Sequence, residues 1–224
     1  MLSMTVLTDG RKEYLEQTLP TWIEAYGDLI EHKIIIDDSG YTGYRHWLTE
    51  TFPDFLVVAV GKDRCGYAEA MRKVFEIVRA YDQPYNLHIE DDFKLKIAPN
   101  IESVCSVLDA WPQVSQMSFM RQPWYSNEIE HGGVVEALEA QGTRVFQQKA
   151  TNGLPWVRHN AFWTANPNVF PQWVAHREWP DAPWCEMKFS QALKRDKKLS
   201  GIWGSRGSWV CTEHIGLERN GTDY

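Results

Sequence analysis

Cysteine is sparse in this 224-residue chain: Cys65, Cys105, Cys185 and Cys211 lie far apart and form no CxxC pair. A zinc site therefore has no support, and reduced thiols are the default. Long apolar runs are missing too. None approaches the ~18 residues of a membrane-spanning helix, and no basic N-terminal segment leads into an apolar stretch of signal-peptide length. The expectation is a soluble, cytoplasmic protein. Positive charge is in deficit, with 23 Lys and Arg against 30 Asp and Glu and a net charge of -7. That balance argues against a broad electrostatic footprint for nucleic acid, and an acidic substrate would need a metal ion or local arginines. Repeats, linkers and low-complexity tracts are absent as well. What is present, 43% hydrophobic and 13% aromatic residues, is enough to build the core of one domain.

Strand and helix signals alternate through the first half, the pattern of an α/β fold with a mostly parallel central sheet flanked by helices. Met4 to Leu7 reads as a strand, followed by a turn at Thr8-Asp9-Gly10 and a helix from Arg11 to Leu19, with Asp9 as its cap. Further strands are expected at 33–36, 55–60 and 85–89, with helices at 44–52 and 67–81, the last turning Ala70, Val74, Ile77 and Val78 inward. Beyond Pro99 the pattern loosens. A helix at 101–111 and a strand at 116–120 precede a long irregular region that carries most of the tryptophans; nine of the 11 lie from Trp111 onward. Such a region is where specificity usually resides, although a tryptophan in a compact domain more often supplies packing area than a stacking platform.

The strand at 85–89 ends in Glu90-Asp91-Asp92. An apolar strand that delivers carboxylates to its C-terminal edge is how an α/β fold places a hard divalent cation beside a phosphate-bearing ligand. Three adjacent acids repel one another, and Mg2+ or Mn2+ is the simplest offset. The plain alternative is an acidic turn in water.

The order of these features resembles the GT-A class of nucleotide-sugar glycosyltransferases, in particular the family 2-like inverting members. The resemblance spans roughly residues 4 to 215 and rests on a handful of motifs. It implies that Val6-Leu7-Thr8-Asp9-Gly10-Arg11 walls the nucleotide, with Thr8, Asp9 and Arg11 in contact, and that Asp37 or Asp38 meets the base or ribose. Asp63-Arg64-Cys65-Gly66 stands where the family has its Asn-x-Gly element, and Glu90-Asp91-Asp92 where it has Asp-x-Asp, which implies that Arg64, Gly66, Glu90 and Asp91 contact the nucleotide donor. The first position of that motif is Glu here, so Asp92 is the leading metal ligand. His214 matches a late histidine that closes over the metal or pyrophosphate; an imidazole favours Mn2+ over Mg2+.

Family members also place a catalytic carboxylate at a helix start. Trp184 to Leu193 has that spacing, with Glu186 in the catalytic position and Cys185 replacing an expected Glu. Asp181, just upstream, is a rival base, and Glu186 has the simpler alternative of complementing the helix dipole, worth ~0.3–1 kcal/mol. Arg64 and Arg72 flank the expected donor pocket, and for Arg72 the plainer reading is a solvated helix face. Trp163, within Phe162 to Asn168, and Trp156 are candidates for stacking on an acceptor sugar. The basic run 194–198 reads as a solvated helix end.

These readings imply transfer of a sugar, by inversion, from a nucleotide diphosphate donor to a hydroxyl acceptor, with UDP as the default nucleotide and a divalent cation as cofactor. Residues 1–98 would form the donor half and 99–224 the acceptor half. The acceptor is open between a glycan, lipid-linked or soluble, a protein, and a hydroxylated base in DNA, as in stand-alone phage enzymes that modify DNA. Two other classes remain: a nucleotidyltransferase, disfavoured by the lack of a Gly-rich basic loop at residues 8–12, and a non-catalytic carbohydrate-binding or scaffold protein on the same fold.

Overall fold

A computed structural model describes residues 2–208 and 210–216; residues 1, 209 and 217–224 of the two expected halves lie outside the described residues. The strands are β1 (Leu2–Thr8), β2 (His32–Asp37), β3 (Leu56–Ala59), β4 (Tyr85–Glu90), β5 (Phe93–Leu95), β6 (Val114–Ser118), β7 (Gln147–Thr151), β8 (Leu154–His159), β9 (Asn168–Pro171), β10 (Leu199–Trp203) and β11 (Thr212–His214). The helices are α1 (Lys12–Tyr26), α2 (Thr42–Thr51), α3 (Tyr67–Tyr81), α4 (Ile101–Ala110), α5 (Ser126–His131), α6 (Val134–Ala140) and α7 (Cys185–Arg195).

Nine strands form one sheet in the order β3-β2-β1-β4-β9-β6-β10-β8-β7, and β11 pairs with β5 in a second, two-stranded sheet. The expected α/β fold with a mainly parallel central sheet is what the chain adopts. β3, β2, β1 and β4 are mutually parallel, as are β6 and β10. Antiparallel pairing enters through β9, which lies between β4 and β6, and at the β8–β7 edge.

The sequence explains the layering. All seven residues of β1 are buried, as expected of a parallel strand flanked by partners and covered on both faces. In β2 the two-residue period sends Ile35 into the core beneath α1 and α2, and Ile34 and Ile36 into the opposite core beneath α3 and α7. Helix α3 occupies the expected residues, burying Ala70, Met71, Val74, Phe75 and Val78 as one stripe. Helix α1 departs from expectation at both ends. Its first turn has no side-chain cap, because the Asp9 carboxylate pairs with Arg11 instead. It continues through Pro20 to Tyr26, because Trp22 and Tyr26 extend the buried stripe and donate to the carbonyls of Phe93 and Pro99.

Two buried histidines give the fold an acid limit. His88 on β4 and His159 on β8 are enclosed, and burial pushes both imidazoles down to about 3 from an ordinary 6.5. The unfolded chain binds these protons first, so their contribution is complete above 6.5 and is lost as pH falls from there toward 3. In urea titrations over that window, His88→Gln is expected to lose less resistance than the wild type does; parallel losses would contradict the assignment.

Candidate active site

The strand order reverses at β1: β2 and β3 lie to one side and β4 to the other. Ligands of open α/β sheets bind in the crevice that this reversal opens at the strands' carboxyl ends. Three chain segments reach that edge, Thr8 to Arg11 after β1, Asp37-Asp38 at the end of β2, and Glu90-Asp91-Asp92 at the end of β4.

The acidic triplet divides its labour. Glu90 borders the open space. Asp91 is fully buried; it accepts the Thr8 hydroxyl at 2.7 Å and pairs with the Arg11 guanidinium. It is therefore an interior anchor, which corrects the expectation that Asp91 contacts the nucleotide. Asp92 accepts Arg11 Nη1 at 2.6 Å through Oδ2, while its buried Oδ1 has no hydrogen-bond partner among the described residues. Arg11 thus faces Asp9, Asp91 and Asp92, supplying within the chain much of the positive charge that the sequence assigned to a cation. Burial pulls the guanidinium pKa down, but the three carboxylates outweigh it and keep Arg11 charged above the ordinary arginine range. Asp91 is pushed up to about 7 by burial, with Arg11 pulling the other way.

His214 arrives from β11, placing Nε2 3.3 Å from Asp92 Oδ2. Four contacts fix it there. Its ring stacks on Phe93 at 4.6 Å between centroids and meets Trp124 edge-on at 4.2 Å, while the Gln122 side chain accepts its N–H at 2.9 Å and donates to its carbonyl at 2.8 Å. Burial raises the Asp92 pKa, and the contacts with His214 and Arg11 overcome that and hold it below the usual carboxylate range. Gly216 completes the enclosure: a Cβ there would lie 2.5 Å from Asp92 Oδ2 and 3.0 Å from His214 Nε2.

Among the described residues no three His, Cys, Asp or Glu side chains converge as a metal cage. A Mg2+ or Mn2+ site beside a diphosphate needs only one or two protein ligands, with phosphate and water completing the shell. The unpartnered Asp92 Oδ1, the adjacent imidazole and the cleared space at Gly216 fit that donor set.

At the end of β2, Asp38 is buried and accepts the N–H groups of Cys65 and Gly66, each at 2.8 Å. Gly66 sits at φ +89, a conformation strained for any residue with a Cβ, and from it α3 begins. Arg64 spans the recess to Asp9 Oδ2 at 2.8 Å. The recess bordered by Thr8, Asp9, Asp38 and Arg64 adjoins a cleft of about 650 Å³, and Arg11, Tyr67 and Glu90 border both.

Glu186 borders the same cleft from the first turn of α7. Its Oε2 accepts the Tyr67 hydroxyl at 3.1 Å and the Ala165 N–H at 3.2 Å. Burial pushes its carboxyl above the ordinary range despite those donors. The structure thus brings Arg11, Glu90, Asp92, His214 and Glu186 to one cavity. Trp163 also borders it but is 1% exposed, its ring packed among Phe75, Trp179 and Phe189, so core packing replaces the expected stacking on an acceptor sugar.

Three candidates lie elsewhere. The Asp181 side chain is 80% exposed, pairs with Arg72 at 2.6 Å and does not border the cleft, so surface pairing replaces the expected base role. Arg72, correspondingly, is held by Glu69 and Asp181 away from the recess. Trp156 is fully enclosed, its N–H donated to Thr151 at 3.0 Å and its ring against Trp111; it packs the core and offers no acceptor surface. Sequence reasoning missed Tyr67, 119 residues from its partner Glu186, along with Gln122 and Trp124. Their roles depend on long-range proximity that no local pattern signals.

No family model and no curated protein matches the chain. Solved structures do. The mannosyltransferase PcManGT from Pyrobaculum calidifontis, in complex with GDP-Man and Mn2+, is similar over 98% of this chain at 14% identity and a TM-score of 0.65. S. aureus TarS 1-349, in complex with UDP-GlcNAc, is similar over 99% at 10% identity and a TM-score of 0.63. A UTP-bound UGPase from Acinetobacter baumannii is similar over 97% at 11% identity and a TM-score of 0.58. This chain spans 58% of the length of the first and 60% of the second. At these identities the likeness is one of fold, and that fold is shared with proteins that bind nucleotide sugars.

Proposed function

We propose that the protein is a metal-assisted, inverting glycosyltransferase that moves a sugar from a nucleotide diphosphate donor, UDP-linked by preference, to a hydroxyl acceptor. In this reading residues 1–98 hold the donor and 99–224 the acceptor. One observation carries it: Glu186 and the Asp92–His214 pair border the same cleft, and that cleft shares Arg11, Tyr67 and Glu90 with the Asp9–Asp38–Arg64 recess at the switch point of the sheet.

The chemistry follows from these positions. Glu186 accepts the proton of the acceptor hydroxyl, the freed oxygen bonds to the anomeric carbon, and the electron pair of the breaking bond to the diphosphate oxygen departs with the nucleoside diphosphate. Tyr67 and the Ala165 N–H hold the Glu186 carboxylate in place. Asp92 and His214 would hold Mn2+ or Mg2+, which when bound stabilises negative charge on the leaving diphosphate. Arg11 keeps Asp92 ionised and oriented, and Asp38 fixes the loop ahead of α3 that walls the nucleotide.

Incubation with UDP- and GDP-sugars plus Mn2+ is expected to release nucleoside diphosphate, with NMR showing an anomer opposite to that of the donor. The likeness to a UTP-bound UGPase supports one second reading, a nucleotidyltransferase. Release of inorganic pyrophosphate from a nucleoside triphosphate would favour it and overturn the glycosyl-transfer assignment.

A further inference from the structure

Most large side chains around the cleft are packed, but Trp184, at its rim, is 65% exposed, and Tyr125 and Met187, also bordering it, are 57% and 50% exposed. Trp184 has φ 61 and ψ 34 at the residue preceding α7, the left-handed region that bulky side chains avoid. Strain of this kind persists where the surrounding structure over-determines it. Trp184 sits two residues before Glu186, and both border the same cleft.

The charge of the cavity selects among acceptors. Arg121 is bound by Glu128 at 2.7 and 3.0 Å, and Arg11 by Asp91 and Asp92. Both cations are therefore neutralised, and the Glu186 carboxylate also borders the space. A nucleic-acid backbone needs unneutralised Lys or Arg along its path, and among the described residues the lining of the cavity does not supply them. An uncharged pyranose suits it: one face is a run of C–H groups that packs on an indole, and the edge carries hydroxyls, one of which must reach Glu186.

We propose that Trp184 is the stacking platform for a neutral saccharide acceptor, with Tyr125 and Met187 completing the apolar rim. The inference rests on the transferase reading above and names the acceptor class for it.

The test is titration of neutral cello-, malto- and chito-oligosaccharides, and of a DNA duplex containing hydroxymethylcytosine, into wild type, Trp184→Ala and Trp184→Phe, each with UDP or GDP already bound. Nucleotide affinity, measured first on every variant, reports an intact donor site. At least one oligosaccharide is expected to bind the wild type, to weaken about tenfold in Trp184→Ala, and to stay within about threefold in Trp184→Phe. Equal affinity in Trp184→Ala, binding of the DNA alone, or no saccharide bound by a nucleotide-competent wild type would each overturn the proposal. Failure of the wild type to bind any nucleotide is a distinct result that removes the transferase reading beneath it.

Discussion

Glu186→Gln is expected to lower kcat by about 10²- to 10⁴-fold while leaving nucleotide affinity within about twofold, the range of a removed general base. The amide is isosteric and its oxygen still accepts from Tyr67 and Ala165, which donate at 3.1 and 3.2 Å in the parent; what it cannot do is take a proton. The pH profile of the wild type adds a second signature. A base works only when ionised, and burial raises the Glu186 pKa. Activity should therefore fall on the acid side at a higher pH than an ordinary carboxylate would give, and that limb should be absent from the residual activity of the variant. Asp181→Asn, whose side chain pairs with Arg72 at the surface, serves as the comparison and should remain within about threefold of wild type. A Glu186→Gln enzyme with undiminished turnover would place the base elsewhere.

Asp92→Asn is expected to weaken metal-dependent nucleotide binding by about a hundredfold or more, beyond the ~10–100-fold that loss of a supporting contact around a metal ligand brings. The reason lies in how the carboxylate is shared. Oδ2 is held by Arg11 and faces His214, and Oδ1 alone is left for a cation. The amide keeps the shape but removes the charge, and its NH2 group, wherever it points, opposes either the guanidinium or the metal. Stability should change far less, since Arg11 retains Asp91 and Asp9. A large fall in thermal stability with nucleotide affinity unchanged would mark Asp92 as a structural partner of Arg11 and nothing more.

Much of the first 98 residues is legible in the sequence because its signals are local. The residues of α3 follow from one apolar stripe after Gly66, and β1, β2 and β4 from short apolar runs that end in polar turns. The carboxylates at those strand ends follow as well. Their separate fates do not: Glu90, Asp91 and Asp92 are adjacent, yet one borders the cleft, one is sealed behind Arg11 and one meets His214. Only the path of the chain after β4 decides which way each side chain turns. The chain beyond residue 98 is harder to read. β9 is a four-residue strand inserted antiparallel between β4 and β6, set by its partners and by no repeat of its own. Tryptophans divide in the same way. Trp163 and Trp156 are both buried, the first bordering the cleft and the second not, while Trp184 is exposed. Composition treats the three alike, and tertiary packing separates them.

The central claim, that the switch-point crevice holds a nucleoside diphosphate through Asp92 and a divalent cation, is tested most directly by calorimetric titration of UDP and GDP. Each is titrated with Mn2+, Mg2+ or EDTA into wild type and Asp92→Asn. The account predicts binding that requires the metal and collapses in the variant, with UDP preferred over GDP. No binding of either nucleotide under any metal condition, or binding indifferent to both EDTA and the substitution, would contradict it.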